Sequence, residues 1–525
     1  MTHPKLVDSL TRPEFYPHRP DSVELIQTHI SYIFIAGEYV YKVKKDVDFG
    51  FLDFTTLEKR KYYCEEELRL NQRLAREIYL DVVPICEDNK GDLHLRDGGT
   101  IVDYAVMMKK IPEERMLYRL LEKGVVEIAV MADVARKVSE FHKEAATGGE
   151  IDRIGGFETV RHNHEENFQQ TEDFIDITIP KGRYGFIRSY VNNFLERNRS
   201  LFEKRVAQHR IRDCHGDLHL QHICIADDIL IFDCIEFNER FRYLDVAAEI
   251  SFLAMDLDYN GYTEYGKAFI DAYLKYSNDS EIMTLLNFYK CYFAYVRGKV
   301  IGFKINDRAI DEGERKIAID TASPYFDLAY KYAARPEKPT LILTAGLMGT
   351  GKSVLAKNLA TLLDAKIVRS DVIRKEMLNI SPSERHYEGF GEGIYSDDKS
   401  RKTYEKAIQL AEVELKKGKS AIIDASFKTK GEREMAFRFA SSADAEFFIV
   451  ECVCPDGIVK ERLDARSSDS KEASNGRWEI FESQRGDFEK IDEFPEHCHI
   501  IADSSQTPER CTEYTIAKIR LGGVD

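Results

Sequence analysis

The sequence predicts a protein of mixed α/β and α+β class, with an N-terminal bilobal domain and a C-terminal domain built on a parallel β-sheet flanked by helices. In the first part, alternating strand patterns precede largely helical ones, as in a strand-rich lobe joined to a larger helical lobe. After residue 338, strands and helices alternate as in a parallel sheet. Between these parts, Pro336 and Pro339 in a polar segment indicate a linker. We therefore expect domains at residues 1–337 and 338–525.

The N-terminal domain is expected to divide into a small lobe near residues 20–112 and a large lobe near 113–332. Alternating apolar and polar residues predict antiparallel strands in the small lobe, and a longer apolar period predicts a helix. The large lobe is largely helical but contains a strand–loop–strand stretch. The predicted segments are strands in 23–28, 32–44 (around a turn at 36–38) and 101–110, a helix in 55–75, and the strand–loop–strand stretch in 211–235.

Length and composition exclude several classes of protein. The chain has 525 residues, 43% hydrophobic and 32% charged, which describes a globular protein with room for sizeable cores. Apolar runs fall short of the roughly 20 residues that a membrane span needs. The N-terminus lacks the apolar centre of a secretory signal, and the 10 cysteines are scattered as reduced thiols would be. We expect a cytoplasmic protein without a membrane partner.

The strongest motif is the segment 346–353, which fits the pattern G-x-x-x-x-G-K-[ST] of a phosphate-binding loop, the Walker A motif. It follows a predicted strand at 340–345 and opens a predicted helix at 354–363. Glycines let backbone N–H groups surround a phosphate, and the lysine reaches the β- and γ-phosphates of ATP while the serine hydroxyl binds Mg²⁺. The expected nucleotide contacts are Gly346, Gly349, Thr350, Gly351, Lys352 and Ser353.

Two aspartates end the next predicted strands, and the carboxyl ends of parallel strands face one ligand crevice. Asp371 is the candidate base for an acceptor hydroxyl, and Arg374 is the residue expected to anchor the acceptor. Asp424 is the candidate carboxylate on the Mg²⁺ side. The alternative interpretations are a helix N-cap at Asp371 and the start of a turn at Asp424.

A helix predicted at 461–466 places Arg462 and Arg466 four residues apart, before a polar stretch at 467–476. This arrangement predicts a lid that brings guanidinium groups over the transferred phosphate, with Arg466 as the charge-stabilising residue. A solvated helix face with salt bridges is the alternative.

In this order of motifs, residues 338–510 resemble the small P-loop kinases of the zeta-toxin, polynucleotide 5′-kinase and gluconate-kinase type. The resemblance implies transfer of the γ-phosphate of ATP to an acceptor hydroxyl, and it leaves the acceptor open. The matching residues are Lys352, Ser353, Asp371, Arg374, Asp424 and Arg466.

A second group of polar residues spans 214–224, and Asp233 follows at the end of the next predicted strand. Three histidines and two cysteines in this segment could form a zinc site, although no second cluster follows at a zinc-finger spacing. The other interpretation is a kinase catalytic loop, in which an H-x-D sequence precedes a strand that ends in aspartate. Asp217 would then take the proton of the acceptor, and Asp233 would hold Mg²⁺ between phosphates.

A kinase catalytic loop also requires an upstream lysine–glutamate ion pair that holds the α- and β-phosphates. Lys42 lies in a predicted strand, and Glu67 lies beside the apolar stripe of the helix predicted at 55–75. Lys44 faces the same side as Lys42 because side chains alternate along a strand. Lys42 and Glu67 are the leading candidates, Lys44 and Glu66 stay open, and plain surface charge is the alternative.

With these parts, residues 20–330 resemble the aminoglycoside and choline phosphotransferase family, which has a protein-kinase-like fold. The segment 215–219 and Asp233 match the catalytic-loop and metal positions of that family. The resemblance also implies that Asp245 braces the catalytic loop and that residues 107–112 form the hinge that binds adenine. The whole chain resembles bacterial fusions of such a domain with a P-loop ATP-binding domain.

The sequence departs from this family at two places. His222 stands where the family has a metal-binding asparagine, and imidazole is a softer ligand than the oxygen donors that Mg²⁺ prefers. No glycine-rich loop lies between the first strands, where residues 29–31 form the expected tip. Both departures bear on whether the N-terminal domain transfers phosphate or only binds nucleotide.

Together the motifs predict an ATP- and Mg²⁺-dependent phosphotransferase acting on a hydroxyl group of a small-molecule acceptor, with the C-terminal domain as the surer catalyst. One alternative is a nucleotide-gated sensor or scaffold without transfer. The other is a kinase of RNA or DNA 5′-hydroxyl groups, which the net charge of -16 disfavours because phosphate backbones attract basic surfaces. Neither the acceptor nor the oligomeric state is encoded in a recognisable motif.

Overall fold

The computed structural model describes residues 4–96, 98–307, 310–378, 380, 396–467 and 478–521. The chain divides into two compact units, one of residues 1–181 and 191–329 and the other of residues 182–190 and 330–525. Two long helices, Lys181–Ala207 and Glu312–Ala334, contribute residues to both units. The predicted boundary at residue 337 lies between the second of these helices and the first strand of the second unit.

The first unit begins with an antiparallel sheet, in which six described strands run in the order β1-β2-β3-β6-β4-β5. The predicted strands and the predicted helix form here, and the run 32–44 breaks into two strands at Gly37, whose φ is 66°. A short helix covers one face of the sheet. The elements are α1 Pro4–Leu10, β1 Val23–Gln27, β2 Ser31–Ala36, β3 Tyr39–Lys44, α2 Leu57–Asn71, β4 Tyr79–Glu87, β5 Leu93–Leu95 and β6 Thr100–Lys109.

Helix α2 carries the predicted acidic residue to the sheet. Its start is capped by Thr56, whose hydroxyl accepts the Lys59 N–H at 3.2 Å. Arg60 fixes the helix against β6, because its Nε donates to Asp103 at 2.9 Å and both side chains are buried. The face that packs inward also contains Glu67, which is fully buried. A carboxylate at this position requires a cation, since an unpaired buried charge is strongly unfavourable.

The rest of the first unit is mainly helical and contains two small two-stranded sheets in its described part, β7 with β10 and β8 with β9. The predicted catalytic loop lies between β7 and β8, and β9 is the strand that precedes Asp233. The elements are α3 Leu117–Glu122, α4 Val130–Glu144, α5 Glu150–Ile154, α6 Phe157–Gln170, α7 Lys181–Ala207, β7 Ile211–Asp213, β8 Ile223–Ile225, β9 Ile229–Ile231, α8 Glu239–Arg242, β10 Tyr243–Asp245, α9 Val246–Tyr259, α10 Thr263–Ser277, α11 Ile282–Gly302 and α12 Glu312–Ala334.

His164 on α6 is expected to make this unit sensitive to acid. The ring is 5% exposed and packs against Phe288 and Tyr292, with ring centroids 4.8 Å apart in both pairs. Its Nε2 has no hydrogen-bond partner among the residues that the structure describes. Burial lowers the pKa of His164 from 6.5 to about 3. Below pH 6.5 the His164 side chain therefore binds a proton in the unfolded chain but stays neutral in the folded chain. The free energy of unfolding should fall as the pH falls from 6.5 toward 3.

We expect His164→Phe to weaken this pH dependence, because phenylalanine fills the site without a titratable nitrogen. The wild type should lose ~1.4 kcal/mol of unfolding free energy per pH unit below the unfolded pKa of 6.5, and little above it. Between pH 7 and 5 this loss should exceed that of the variant by about 2 kcal/mol. Urea unfolding at several pH values measures the difference, with the exposed His162→Phe as control. Parallel pH profiles for wild type and His164→Phe would contradict the assignment.

The second unit is built on a parallel sheet whose five described strands run in the order β12-β13-β11-β14-β15. The central strand β11 is buried at every residue, as expected for a strand covered on both faces. Adjacent strands end at the same edge, where Asp424 is the last residue of β13. The elements are β11 Thr340–Ala345, α13 Lys352–Leu363, β12 Lys366–Arg369, α14 Ser370–Met377, α15 Asp397–Leu415, β13 Ala421–Asp424, α16 Lys430–Ser442, β14 Glu446–Val453, α17 Asp456–Ser467, α18 Trp478–Asp487, β15 His499–Asp503 and α19 Pro508–Leu521.

Among the described helices, none combines the length and the apolar character that crossing a bilayer requires.

Candidate active sites

The glycine loop of the second unit joins β11 to α13 in a conformation that other residues cannot adopt easily. Gly346, Gly349 and Gly351 have φ values of 124°, 76° and 87°. A Cβ atom on Gly346 would lie 2.6 Å from the carbonyl oxygen of Cys452, and one on Gly349 would lie 2.8 Å from Val459. Backbone conformation therefore favours glycine at all three positions, and lack of space also requires it at Gly346 and Gly349.

Lys352 and Ser353 occupy the first turn of α13, directly after the loop. The Lys352 Nζ donates to the Leu347 carbonyl at 2.6 Å, so the ammonium group is folded over the loop. Thr350 Oγ1 donates to the same carbonyl at 2.8 Å. The lysine thus already lies at the concave side, where a phosphate bound by the loop N–H groups and the helix N-terminus would meet it.

Residues far away in sequence brace this loop, and sequence reasoning missed them. Ser504 Oγ donates to the Thr350 carbonyl at 2.5 Å, and the Met348 N–H donates to Gln484 Oε1 at 2.8 Å. Arg462, which was predicted to belong to the lid, donates instead to the Ser504 carbonyl at 2.7 Å. Arg462 is thus part of this bracing. The side chain of Arg466 and residues 468–477 lie outside the described residues.

Asp371 lies in the first turn of α14, where its carboxylate is 3.1 Å from Nη1 of Arg374. The helix begins at Ser370 with Arg369 in the cap position, so the N-cap interpretation of Asp371 is wrong. Ser370 Oγ donates to the Asp424 carbonyl at 3.2 Å, which ties the start of α14 to the end of β13. Asp371, Arg374 and Asp424 are therefore brought to one edge of the sheet.

The Asp424 carboxylate is buried at 6% exposure, yet polar groups surround it. Thr344 Oγ1 and Arg369 Nε each lie 3.4 Å from it. Both contacts follow from strand register, since Asp424 is paired with Thr344 on one side and with Arg369 on the other. Arg369 is a further residue that sequence reasoning missed. The signal that could have found it is a basic residue at the end of a strand, followed by another strand that ends in an acidic residue.

The predicted lysine–glutamate pair of the first unit belongs to a network of five ionisable side chains. Lys42 Nζ lies 2.9 Å from Glu67 and 2.8 Å from Asp233. Lys44 Nζ lies 2.8 Å from Glu67 and also contacts Glu236. Lys42 thus joins the helix glutamate to the candidate metal aspartate, while Lys44 joins it to Glu236. Glu66, the alternative acid, pairs instead with Arg69 on the surface of α2, at 2.7 Å.

Burial and charge act in opposite directions on this network. Burial alone would raise the pKa of Glu67, but Lys42 and Lys44 lower the pKa below its usual value. Burial also opposes the charge on Lys42, and the surrounding carboxylates, first Asp233, raise its pKa above the usual value. For Glu236, burial prevails and raises the pKa of the carboxyl group. The Lys42–Glu67 pair is therefore charged at neutral pH, as a phosphate-holding pair must be.

Backbone groups determine the tautomers of the catalytic-loop histidines, because carbonyl oxygens only accept and N–H groups only donate. His215 Nε2 donates to the Phe232 carbonyl at 2.9 Å, and His219 Nδ1 accepts the Gln221 N–H at 3.3 Å. His222 Nδ1 donates to the Asp217 carbonyl at 2.9 Å. In the neutral rings, His219 therefore carries its proton on Nε2 and His222 carries it on Nδ1.

Asp217 lies between two of these rings. His219 Nε2 and His222 Nδ1 are each 3.5 Å from its Oδ2. Burial would raise the pKa of Asp217, but His219 and then His222 lower it below the usual range. Burial lowers the pKa of His222 to about 4. At neutral pH the carboxylate is ionised and His222 is neutral, so Asp217 can accept a proton.

The residue that holds the catalytic loop in place is not the one that the resemblance implies. Asp245, predicted to brace it, instead caps the start of α9 and contacts Arg205 at 2.6 Å. Glu249, one turn further along α9, accepts the His215 and Gly216 N–H groups at 2.7 and 2.6 Å. The prediction for Asp245 is therefore wrong, because the two loop N–H groups meet Glu249 in the first turn of the helix and not Asp245 at its cap.

The zinc interpretation required the cysteines and histidines of 214–224 to converge. Among the described residues, two groups could hold a metal by proximity: Cys214 with His142 and Glu249, and Asp217 with His219 and His222. Cys224 belongs to neither group. The three loop histidines and the two cysteines therefore do not form one site, and the zinc interpretation is wrong in that form.

The connection between β1 and β2 is a tight turn. Thr28 Oγ1 accepts the N–H groups of Ile30 and Ser31 at 3.3 and 2.9 Å. The tip predicted at 29–31 thus forms without a glycine-rich loop. The segment predicted as the hinge, 107–112, begins within β6, and the Lys110 N–H donates to the Glu38 carbonyl at 2.8 Å.

Comparison with known proteins gives one family match and several distant relatives. Residues 341–491 match the model of a family described as an AAA domain. An uncharacterised protein of Mycobacterium tuberculosis is 27% identical over 454 residues, which is 86% of this chain and 88% of the relative.

Solved structures give lower similarity. A gluconokinase from Sinorhizobium meliloti 1021 aligns with 16% identity over 35% of this chain and 93% of its own, with a TM-score of 0.25. A choline/ethanolamine kinase family protein from Mesorhizobium loti aligns with 11% identity over 63% of this chain and 99% of its own, with a TM-score of 0.37. The segment matched by the AAA-domain model contains the glycine loop, Asp371, Arg374 and Asp424.

Proposed function

We propose that this protein is an ATP- and Mg²⁺-dependent phosphotransferase that moves the γ-phosphate of ATP to a hydroxyl group of a small-molecule acceptor. One observation carries the proposal: a glycine loop with Lys352 folded over it, the Asp371–Arg374 pair and the buried Asp424 lie together at the carboxyl edge of one parallel sheet. Ligands of open α/β sheets bind at that edge.

In the second unit, the loop N–H groups and the N-terminus of α13 would hold the phosphates, and Lys352 would exchange its contact with the Leu347 carbonyl for the β- and γ-phosphates. The donors of Ser353 and Asp424 fit Mg²⁺, which prefers hydroxyl, carboxylate and water oxygens. The ion, when bound, neutralises phosphate charge. Asp371 would accept the proton of the acceptor hydroxyl as the new O–P bond forms and the bond to the leaving ADP oxygen breaks.

Two arginines complete this assignment. Arg374, held at Asp371, would anchor the acceptor, and Arg466 would stabilise the charge that develops on the transferred phosphate. Phosphoryl transfer is catalysed mainly by positioning of the reactants and by stabilisation of charge. The residues at the polar edge of the sheet would supply both.

The first unit contains a second set of such groups. Asp217 would be the base, Lys42 held by Glu67 would contact the α- and β-phosphates, and Asp233 with His222 would hold the metal ion. Lys44 and Glu236 would fix Glu67 from its other side. Label transfer by Asp217→Ala distinguishes phosphate transfer by this set from nucleotide binding alone.

The cysteines support a cytoplasmic location. The structure contains no disulfide bond among the 10 cysteines, all of which lie in the described residues, and all but Cys454 are buried. Cysteines without disulfides are typical of a reducing compartment.

Transfer of label from γ-labelled ATP into a cell metabolite extract, followed by mass spectrometry, tests the function. The intact protein is compared with Lys352→Ala and Asp217→Ala, and with the exposed control positions Lys357→Ala and Asp227→Ala. We expect a labelled product that Lys352→Ala loses and that both controls keep. Loss in Asp217→Ala as well would show that the first unit also contributes catalysis.

Two outcomes would favour the other functions. ATP binding without a labelled product in any protein would contradict the kinase proposal and favour a nucleotide-gated sensor. Label that enters added 5′-hydroxyl oligonucleotides, with a strong dependence on salt, would favour a nucleic-acid acceptor.

A further inference from the structure

The three histidines of the catalytic loop differ in what their ring nitrogens can do. Both nitrogens of His215 are used, because Nε2 donates to a carbonyl and Nδ1 accepts the Asp217 N–H at 3.3 Å. His219 accepts a backbone N–H through Nδ1 and directs its Nε2 proton at Asp217. His222 donates through Nδ1, so its lone pair is on Nε2.

This lone pair faces a carboxylate. His222 Nε2 lies 3.5 Å from Oδ2 of Asp233, whereas the other oxygen, Oδ1, is bound by Lys42 at 2.8 Å. In this tautomer no proton lies between Nε2 and Oδ2, and two electron-rich atoms face each other at the distance over which a metal ion can bridge them. A histidine that binds a metal usually gives its other N–H to a backbone carbonyl, as His222 does.

The backbone around Asp233 directs the carboxylate to this place. Asp233 has a φ of 63°, in the left-handed region that non-glycine residues rarely occupy. Its N–H donates to the hydroxyl of Tyr79 at 3.2 Å, and the next N–H, that of Cys234, donates to Asn71 at 2.9 Å. An unfavourable conformation maintained by such contacts is typical of functional sites.

We infer that the metal position of the first unit selects a first-row transition metal ion, with Mn²⁺ as the probe, over Mg²⁺, because Nε2 of His222 joins the Asp233 carboxylate as a ligand. The inference deepens the proposed function, since phosphate oxygens of a nucleotide and water would complete the coordination. Mg²⁺ prefers oxygen donors in a strict octahedron, whereas imidazole is a good ligand for transition metal ions. In the second unit the candidate donors, Ser353 and Asp424, are oxygens, so the same preference is not expected there.

The test uses the full chain with Mn²⁺ and the ATP analogue AMPPCP, which has no nitrogen in its phosphate bridge. Pulsed electron paramagnetic resonance detects a ¹⁴N nucleus bound to Mn²⁺, and competition with Mg²⁺ measures selectivity, both with and without the analogue. We expect imidazole ¹⁴N modulation in the wild type, and its replacement by a ¹⁵N pattern when histidine is labelled with ¹⁵N. This labelling control needs no variant to fold.

His222→Asn supplies an amide oxygen in place of the ring nitrogen, and the matched control is His209→Asn, an exposed position with a φ of 56° that asparagine accepts well. We expect His222→Asn to lose the modulation and to bind Mn²⁺ about 10-fold more weakly or worse, and His209→Asn to keep both. Circular dichroism checks that each variant is folded.

Absence of ¹⁴N modulation in the wild type, or equal Mn²⁺-over-Mg²⁺ selectivity in wild type and His222→Asn, would overturn the inference. An imidazolium at His222 bonded directly to Asp233 would give that result. Failure of the proposed function would give a different result. ¹⁴N modulation without any transfer of label from ATP would support the histidine-containing metal site and contradict the kinase function. Transfer of label with Mg²⁺ but no ¹⁴N modulation would support the kinase function and contradict the histidine ligand.

Discussion

Asp371→Asn is expected to lower the rate of phosphoryl transfer by the second unit by about 10²–10⁴-fold, the usual contribution of a general base. The amide keeps the size of the carboxylate but cannot take the proton of the acceptor hydroxyl. Because Asp371 lies at the start of α14 and not in the glycine loop, ATP affinity should stay nearly unchanged. The effect should therefore appear in kcat rather than in nucleotide binding.

The matched control is Glu376→Gln, an exposed carboxylate on the same helix. Single-turnover transfer measures the chemical step, and titration with AMPPCP measures nucleotide affinity. Wild-type rates in Asp371→Asn would remove Asp371 from catalysis. A parallel loss of nucleotide affinity would instead assign it a structural role, in which its contact with Arg374 maintains the end of the sheet.

Arg205→Met is expected to lower the free energy of unfolding of the first unit by about 3–5 kcal/mol, the range for breaking a buried ion pair from one side. The Arg205 side chain is fully buried and contacts Asp245 at 2.6 Å and Asp279 at 2.7 Å. Methionine fills most of the volume but leaves both carboxylates without this cation. Since Asp245 caps the helix whose Glu249 holds the catalytic loop, nucleotide binding by the first unit should weaken as well.

Urea unfolding followed by circular dichroism measures this loss. The control is Arg199→Met on the same helix, where the arginine pairs with Glu203 at the surface and where the expected change is about 0.5 kcal/mol or less. An equal midpoint shift in the two variants would mean that the buried network does not stabilise the fold. Arg205→Met combined with Asp245→Asn should recover part of the loss, because fewer unpaired charges remain buried.

The predictions that agree with the structure share a local origin. A glycine loop between a strand and a helix depends on residues at a fixed spacing, and the φ values of Gly346 and Gly351 require glycine wherever the rest of the chain lies. The strand that ends at Asp424 and the helix that presents Glu67 follow in the same way from apolar periodicity. The preference for Glu67 over Glu66 has the same basis, since Glu67 lies beside the apolar stripe, but the sequence left Glu66 open and only the contacts with Lys42 and Lys44 separate the two.

By itself the sequence determined the elements, the two-part organisation of the motifs and the residue types at each strand end, because these depend on neighbours within a few positions. Only the tertiary structure decided which partners meet. Lys42 contacts Asp233 across 191 positions, and Ser504 braces Thr350 across 154. Glu249 rather than Asp245 holds the catalytic loop for the same reason: helix packing selects the turn that faces the loop. The protons on the histidines follow from those contacts, since each ring takes the tautomer that its backbone partners require.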